Sequence, residues 1–330
     1  MGDAQSILFQ ILKEKIPPGY SIVEEVADLL SVSTDSAYRR IRGQTILSLD
    51  ETRKICDRYS ISLDALLGSQ PSSVTFRYRT IDPVEFNFKA YLEQILSDIQ
   101  QIKKFEHKKI LYTAKDIPLF YHFEFAELAT FKIFFWLKTF MQFPEYKDAK
   151  FSLDETDDEL MAIGREILEI YVGIPSIEIW NDETIFSALR QIEFYHDSGL
   201  FTESGTAILL CDKLLELIRH IKQQADNGRK FLSTKEVADT EDNYQLYYNE
   251  LTLVDNTILI DTDGRRVVYM THNLLNNLIT TNEKFCSETV NIMNNMMNKS
   301  NLISSSSAKL RNIFFLRMEE KINHLKAKLS

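Results

Sequence analysis

VADLLSVSTDSAYRRIRGQ, residues 26 to 44, decides how the first fifth of the chain folds. Val26, Leu29 and Leu30 lie on one helical face, and Ser31, Val32 and Ser33 then break the pattern over the length of a tight turn. Ser33 is placed to cap a second helix, in which Ala37 and Ile41 fall four residues apart on the same side. Gly43 ends that helix. The stretch therefore reads as two short helices joined by a three-residue turn, the second with a polar, cationic outer face.

The flanking sequence extends this pattern. SILFQILKEKI (6 to 16) is a helix with Ile7, Leu8, Ile11 and Leu12 inward, stopped by PPGY (17 to 20). Ser21 and Glu24 have the spacing of a capping box, so the next helix starts at about Ile22 and turns Ile22, Val26, Leu29 and Leu30 inward. SLDE (48 to 51) is a second capping box, opening a helix through Ile55, Cys56 and Tyr59. Ser62 caps a last short turn, LDALLG.

Five short helices with this central turn describe a helix-turn-helix. The residues VADLLSVSTDSAYRRIRGQ, with Ala27 at the small position of the second helix and Val32 as the turn hydrophobe, resemble the phage-repressor-like (Xre/Cro) DNA-binding family. YSISLDALLG (59 to 68) resembles the closing segment of that family, and the resemblance covers residues 6 to 68. Ser31 stands where the family turn usually has glycine, Val23 where many members have a glutamine on the operator backbone, and Arg40 where an apolar residue is usual. The resemblance implies a lambda-repressor-like domain whose third helix enters the major groove.

Charge points the same way. The chain as a whole carries −10, which disfavours nonspecific attachment to nucleic acid. Between residues 36 and 58, however, six basic residues (Arg39, Arg40, Arg42, Arg53, Lys54, Arg58) face three acidic ones, a local +3. Ser33, Thr34, Asp35 and Ser36 at the helix start suit phosphate and base-edge contacts. Tyr38, Arg39, Arg42 and Gln44 continue that side, with Arg39 and Arg42 as readers of base or phosphate. Arg40 is expected to face the neighbouring helix.

The remaining sequence is richer in helix than in strand. A linker spans 69 to 73, and residues 74 to 330 form a larger, mostly helical domain for dimerisation or sensing. VTFRYR (74 to 79) and KKILYTA (108 to 114) read as two short strands lying beside each other, separated by a helix over 83 to 105. The aromatic-dense stretch IPLFYHFEFAELATFKIFFWLKTFMQF (117 to 143) reads as a buried central helix rather than a cofactor pocket. The acidic cluster Asp154 to Glu159 opens an amphipathic helix, where the helix dipole favours negative charge. Helices follow over 182 to 196 and 203 to 226, the latter with Ile208, Leu209, Leu215 and Ile218 inward. QLYYNELTL, NTILID and RRVVYMTH form a three-stranded antiparallel meander at about 245 to 271, turned at Asp263-Gly264. A helix begins at about Asn273, and after a serine break comes a last helix of net charge +4. That helix is suited to DNA, to a dimer contact, or to packing on its own domain. The fold class is mainly α, α+β overall.

Other functions leave no mark. The sequence contains no phosphate loop, dinucleotide glycine pattern or nucleophile elbow, and its six histidines have no metal-ligand spacing, so neither catalysis nor a cofactor is expected. Cys56, Cys211 and Cys286 are far apart and odd in number, as in a reducing cytoplasm where each thiol serves as a small buried hydrophobe. Lys132 and Lys138 interrupt the most apolar stretch, so no membrane span is expected. The sequence reads as a DNA-binding transcriptional regulator acting as a homodimer, with double-stranded DNA as partner and an unassigned effector or protein as a further one. An interaction scaffold whose helix-turn-helix meets protein instead of DNA is the alternative.

Overall fold

The structure, a computed structural model, describes residues 4–16, 20–59, 61–63, 73–78, 86–235, 242–251, 253–273 and 275–330. It divides into two compact units, Met1–Thr75 and Phe76–Ser330. The PP of the expected helix stop, most of LDALLG and of the linker, and the start of the helix expected at 83 lie outside the described residues.

The first unit contains α1 (Ala4–Lys15), α2 (Ile22–Leu30), α3 (Thr34–Ile41) and α4 (Leu49–Tyr59). Their inward stripes meet in one core, including Leu8, Leu12, Val26, Leu30, Ala37 and Ile55. In α1 the buried partner of Leu8 and Leu12 is Phe9, while Ile7 is exposed. The expected face is thus rotated towards the larger ring. Ser48 and Glu51 form the expected capping box: Glu51 N–H donates to Ser48 Oγ at 3.2 Å, and Ser48 N–H donates to Glu51 Oε2 at 2.9 Å. Ser21 is the N-cap of α2, but its side chain makes no cap hydrogen bond, so that box does not close.

The second unit is an α+β structure built on a seven-stranded mixed sheet. Its elements in chain order are α5 (Phe88–Lys104), β1 (Lys108–Ala114), α6 (Leu119–His122), α7 (Ala126–Phe135, continued by a π-turn over Trp136–Phe140) and α8 (Asp158–Gly173). After these come β2 (Ser176–Trp180), α9 (Phe186–Asp197), α10 (Thr206–Asn227), β3 (Tyr244–Tyr248), β4 (Thr257–Thr262) and β5 (Arg265–Thr271). The chain closes with β6 (Asn277–Thr280), α11 (Glu283–Asn298), β7 (Asn301–Leu302) and α12 (Ala308–Leu329). The strand order is β6-β5-β4-β1-β2-β3-β7, with β1, β2 and β3 parallel and the outer pairs antiparallel.

Several expectations are corrected here. The domain is rich in helix, as expected, but its strands form one seven-stranded mixed sheet where a small three-stranded meander was expected. β3 does not pair with β4; it runs parallel to β2 on the far side of β1. The antiparallel run is β4-β5-β6, shifted to residues 257–280. Residues expected to start a helix at Asn273 instead include β6, and the helix begins at Glu283. Arg77, in the segment expected to flank β1, forms a single bridge to Ile279 of β6. In α10 the buried line is Leu210, Leu214, Leu217 and Ile218, while Ile208, Leu209 and Leu215 are half-buried.

One face of the sheet carries the main core, including Tyr112, Trp180, Leu246, Leu214 and Phe314. The other packs Leu111, Ile177, Leu259 and Val268 against Cys286 and Met293 of α11. The aromatic run is buried from Leu128 through Leu137 apart from half-buried Phe135, while Phe140 near its end is exposed, and all three cysteines are buried and free. α12 lies on its own unit: Arg317, Lys326 and Lys328 pair with Asp182, Asp212 and Glu193, and Phe314, Phe315 and Met318 are sealed. Within the core, Glu178 of β2 accepts from Tyr121 and Tyr171 on Oε1, and from Trp180 and Tyr244 on Oε2. Four donors occupy the lone pairs of a carboxylate, so this buried group is spent on structure. No helix among the described residues is long and apolar enough to cross a membrane.

Candidate nucleic-acid interface

The turn between α2 and α3 depends on one serine. Ser31 adopts a left-handed conformation (φ 55°, ψ 47°), and its N–H and that of Val32 return to the end of α2. Ser33 then accepts from the N–H of Ser36 at 3.3 Å and donates to Ser36 Oγ at 3.1 Å, fixing the first turn of α3. Ala37 is fully buried against α2, and its small side chain permits the close approach.

Apart from Ala37, Arg40 and Ile41, the positions in and around α3 face outward. Ser33, Thr34, Asp35, Tyr38, Arg39, Arg42 and Gln44 are exposed, and Ser36 is half-buried in the cap. Arg42 Nε donates to Tyr38 Oη at 3.1 Å, with its guanidinium 5.4 Å from the ring centre, so the two side chains form one exposed plate. Arg39 is 3.0 Å from Asp35, one turn earlier. Both members of that pair are exposed, so it is worth only ~0.2–1 kcal/mol and is readily exchanged for a phosphate. Asp35 thus acts first on Arg39.

Arg40 turns towards α4, as expected. Its Nη2 donates to Glu51 Oε1 at 2.8 Å, and its Nη1 to the carbonyl of Ser36 at 3.2 Å. The hydrogen bond from Arg40, aided by Ser48, holds the Glu51 carboxyl below the usual carboxylate range. Arg53 lies 3.9 Å from Asp57. Much of the local positive charge is therefore already paired, and the exposed cations of α3 and its C-cap are Arg39 and Arg42.

Two features were missed in the sequence. Gln5 of α1 reaches the loop after α3: its Nε2 donates to the carbonyls of Arg40 and Thr45, both at 2.8 Å, and its Oε1 accepts from Leu47 N–H at 2.9 Å. A glutamine on an amphipathic helix gives no sign of such a role. Ile46 in the loop and Leu49 at the start of α4 stand 85% and 75% exposed just beyond Gln44, and such isolated apolar residues carry no pattern.

Elsewhere, no group of three or more His, Cys, Asp or Glu side chains among the described residues is placed to hold a metal ion. Comparison with protein-family models, curated proteins and solved structures finds no match to this chain.

Proposed function

We propose that the chain is a sequence-specific DNA-binding transcriptional regulator of the cytoplasm, in which α3 enters the major groove of double-stranded DNA. The observation that carries this reading is the outer face of α3. An eight-residue helix, held to α2 by a tight turn and sealed by Ala37, exposes Tyr38, Arg39 and Arg42 on one side. Arginine offers guanine a bidentate contact, and the polar cap at Ser33 and Thr34 suits a phosphate. The exposed methyls of Ile46 and Leu49 suit the thymine methyl. The first unit is proposed to be a lambda-repressor-like domain within residues 1–68.

One small helix covers a half-site, so the active species is proposed to be a homodimer on a two-fold site, with the second unit supplying assembly or regulation. The exposure of Ile46 and Leu49 also favours the second reading, a protein-interaction scaffold, because such side chains fit an apolar partner surface. Selection of bound duplexes from a random pool separates the two. Enrichment of one motif by the full chain, lost in the Arg39→Ala, Arg42→Ala double variant, supports DNA reading. No enrichment, or the same motif from the double variant, rejects it.

A further inference from the structure

The second unit holds a cavity of about 180 Å³ between α5 and the sheet face opposite α11. Its floor includes Ile110 and Tyr112 of β1, Ile258 and Ile260 of β4 and Tyr269 of β5, which the strand registers set side by side. Its roof includes Ile95, Ile99 and Ile102 of α5. A single water needs roughly 10–15 Å³ of such space, so this volume admits a molecule of many atoms.

The wall is mostly apolar, but it also carries Lys132 and Trp136, 4% and 3% exposed. Lys132 Nζ lies 2.8 Å from Asp116 Oδ2, 3.4 Å from Gln191 Oε1 and 5.8 Å from the centre of the Trp136 ring. Asp116 also lines the cavity, so the charge of Lys132 is offset within the wall. The Trp136 indole N–H is buried with no hydrogen-bond partner among the described residues. Such a donor costs free energy that an oxygen acceptor would recover. Asp98, exposed, marks the mouth.

We propose that this cavity binds a small, uncharged amphiphile, with its apolar body between α5 and the sheet and an oxygen acceptor meeting the Trp136 indole. A charged group is disfavoured because Lys132 already has its counter-ion, and an added charge would be buried without one. Apolar pockets with a few placed polar groups are the usual form of small-molecule sites. The proposal goes beyond the DNA-binding reading and does not rest on it, since every wall residue belongs to the second unit.

The test uses Prodan, an uncharged naphthalene with one carbonyl, titrated into the full chain. Saturable one-site binding is expected, with blue-shifted probe emission and energy transfer from tryptophan. Ile95→Phe, which narrows the roof, is expected to weaken binding at least tenfold, and Trp136→Phe severalfold. Leu316→Ala, at an exposed position of α12 that is not part of the wall, should leave it unchanged. Thermal unfolding checks each variant, and Ile102→Phe replaces Ile95→Phe if the latter does not fold. Non-saturable binding, undiminished affinity in the narrowed and Trp136→Phe variants, or tighter binding of anionic anilinonaphthalene sulfonate than of Prodan would overturn the proposal. DNA selection, run separately, is not expected to depend on these variants.

Discussion

Gln5 and Leu47 are forty-two residues apart in the chain, yet the side-chain carbonyl of the first accepts the backbone N–H of the second at 2.9 Å. The same amide group donates to Arg40 and Thr45, so one side chain of α1 ties down both ends of the loop that leaves α3. Replacing it with alanine removes a partner from three backbone groups, of which the Arg40 carbonyl still accepts from the N–H of Gly43. The Gln5→Ala variant is expected to lose about 1–3 kcal/mol of stability in the first unit. Urea unfolding measures the loss, and amide exchange at Leu47 should accelerate. Unchanged exchange at Leu47 would show that the clasp is not maintained in solution.

Arg39→Ala is expected to weaken binding to the selected DNA by ~1–3 kcal/mol while leaving the unfolding midpoint in place. Asp35→Ala should act in the opposite direction. It frees Arg39 from an exposed pair and removes a negative charge, so affinity should rise. Filter binding on both variants decides the point, and weaker binding by Asp35→Ala would mean that its carboxylate contacts a base.

Salt dependence tests the same face. With about four phosphates neutralised per protomer, a dimer should give a log–log slope of roughly −7. Each of Arg39 and Arg42 that sits on phosphate should remove about one contact per protomer when replaced. Lys326→Gln and Lys328→Gln should leave the slope unaltered, because both lysines are committed to carboxylates of their own unit. A flatter slope in the lysine variants would put α12 on DNA.

Ser31→Gly is expected to stabilise the first unit. A left-handed serine costs roughly 1 kcal/mol that glycine does not. Glycine also loosens the unfolded chain, so the net gain should be ~0.5 kcal/mol. Calorimetry on the two proteins reads it, and a lower midpoint for the glycine variant would contradict the turn geometry.

Lys230 gives a dependence on pH. Its ammonium, buried in the second unit, donates to the carbonyls of Tyr171 and Ile174 at 2.7 and 2.8 Å. Burial lowers its pKa from 10.5 to about 7, against a smaller opposing effect of Glu178. Between those values the unfolded chain holds a proton that the folded chain has released, so the lysine's contribution to stability rises with pH. Relative to Lys230→Met, the natural chain should gain stability from pH 7 to pH 9, by at most ~1.4 kcal/mol per unit. Denaturant titrations at three pH values measure it, and a constant difference would show that the ammonium keeps its ordinary affinity for protons.

What was legible in the sequence was local. The Ser48–Glu51 box, the Ser33 cap, the buried Ala37 and the inward Arg40 all depend on partners within about a dozen residues, and their spacing states them. The sheet depends on partners much further away. β2 is illegible in the sequence because SIEIW mixes Ser176 and Glu178 with apolar residues, although every position is buried. Its glutamate is tolerated only because tyrosines from α6, α8 and β3 converge on it. By sequence alone β3 reads as a partner of the nearest strand, β4, whereas its neighbours are β2, reached across two helices, and β7. At the candidate interface, the outward arginines were legible from the helical period. The clasp of Gln5 was not, since it is a contact between elements.

The order of strands also sets a timetable. β1 is bordered on one side by β4, and Thr113 meets Thr257 across 144 residues of chain. During synthesis at ~5–20 residues per second, that side of β1 waits many seconds for its partner. Until then it offers unpaired backbone groups to any other strand nearby. A ribosome pausing between β3 and β4 would therefore release its most adhesive intermediate, and chaperone demand should peak there and not at the end of the chain.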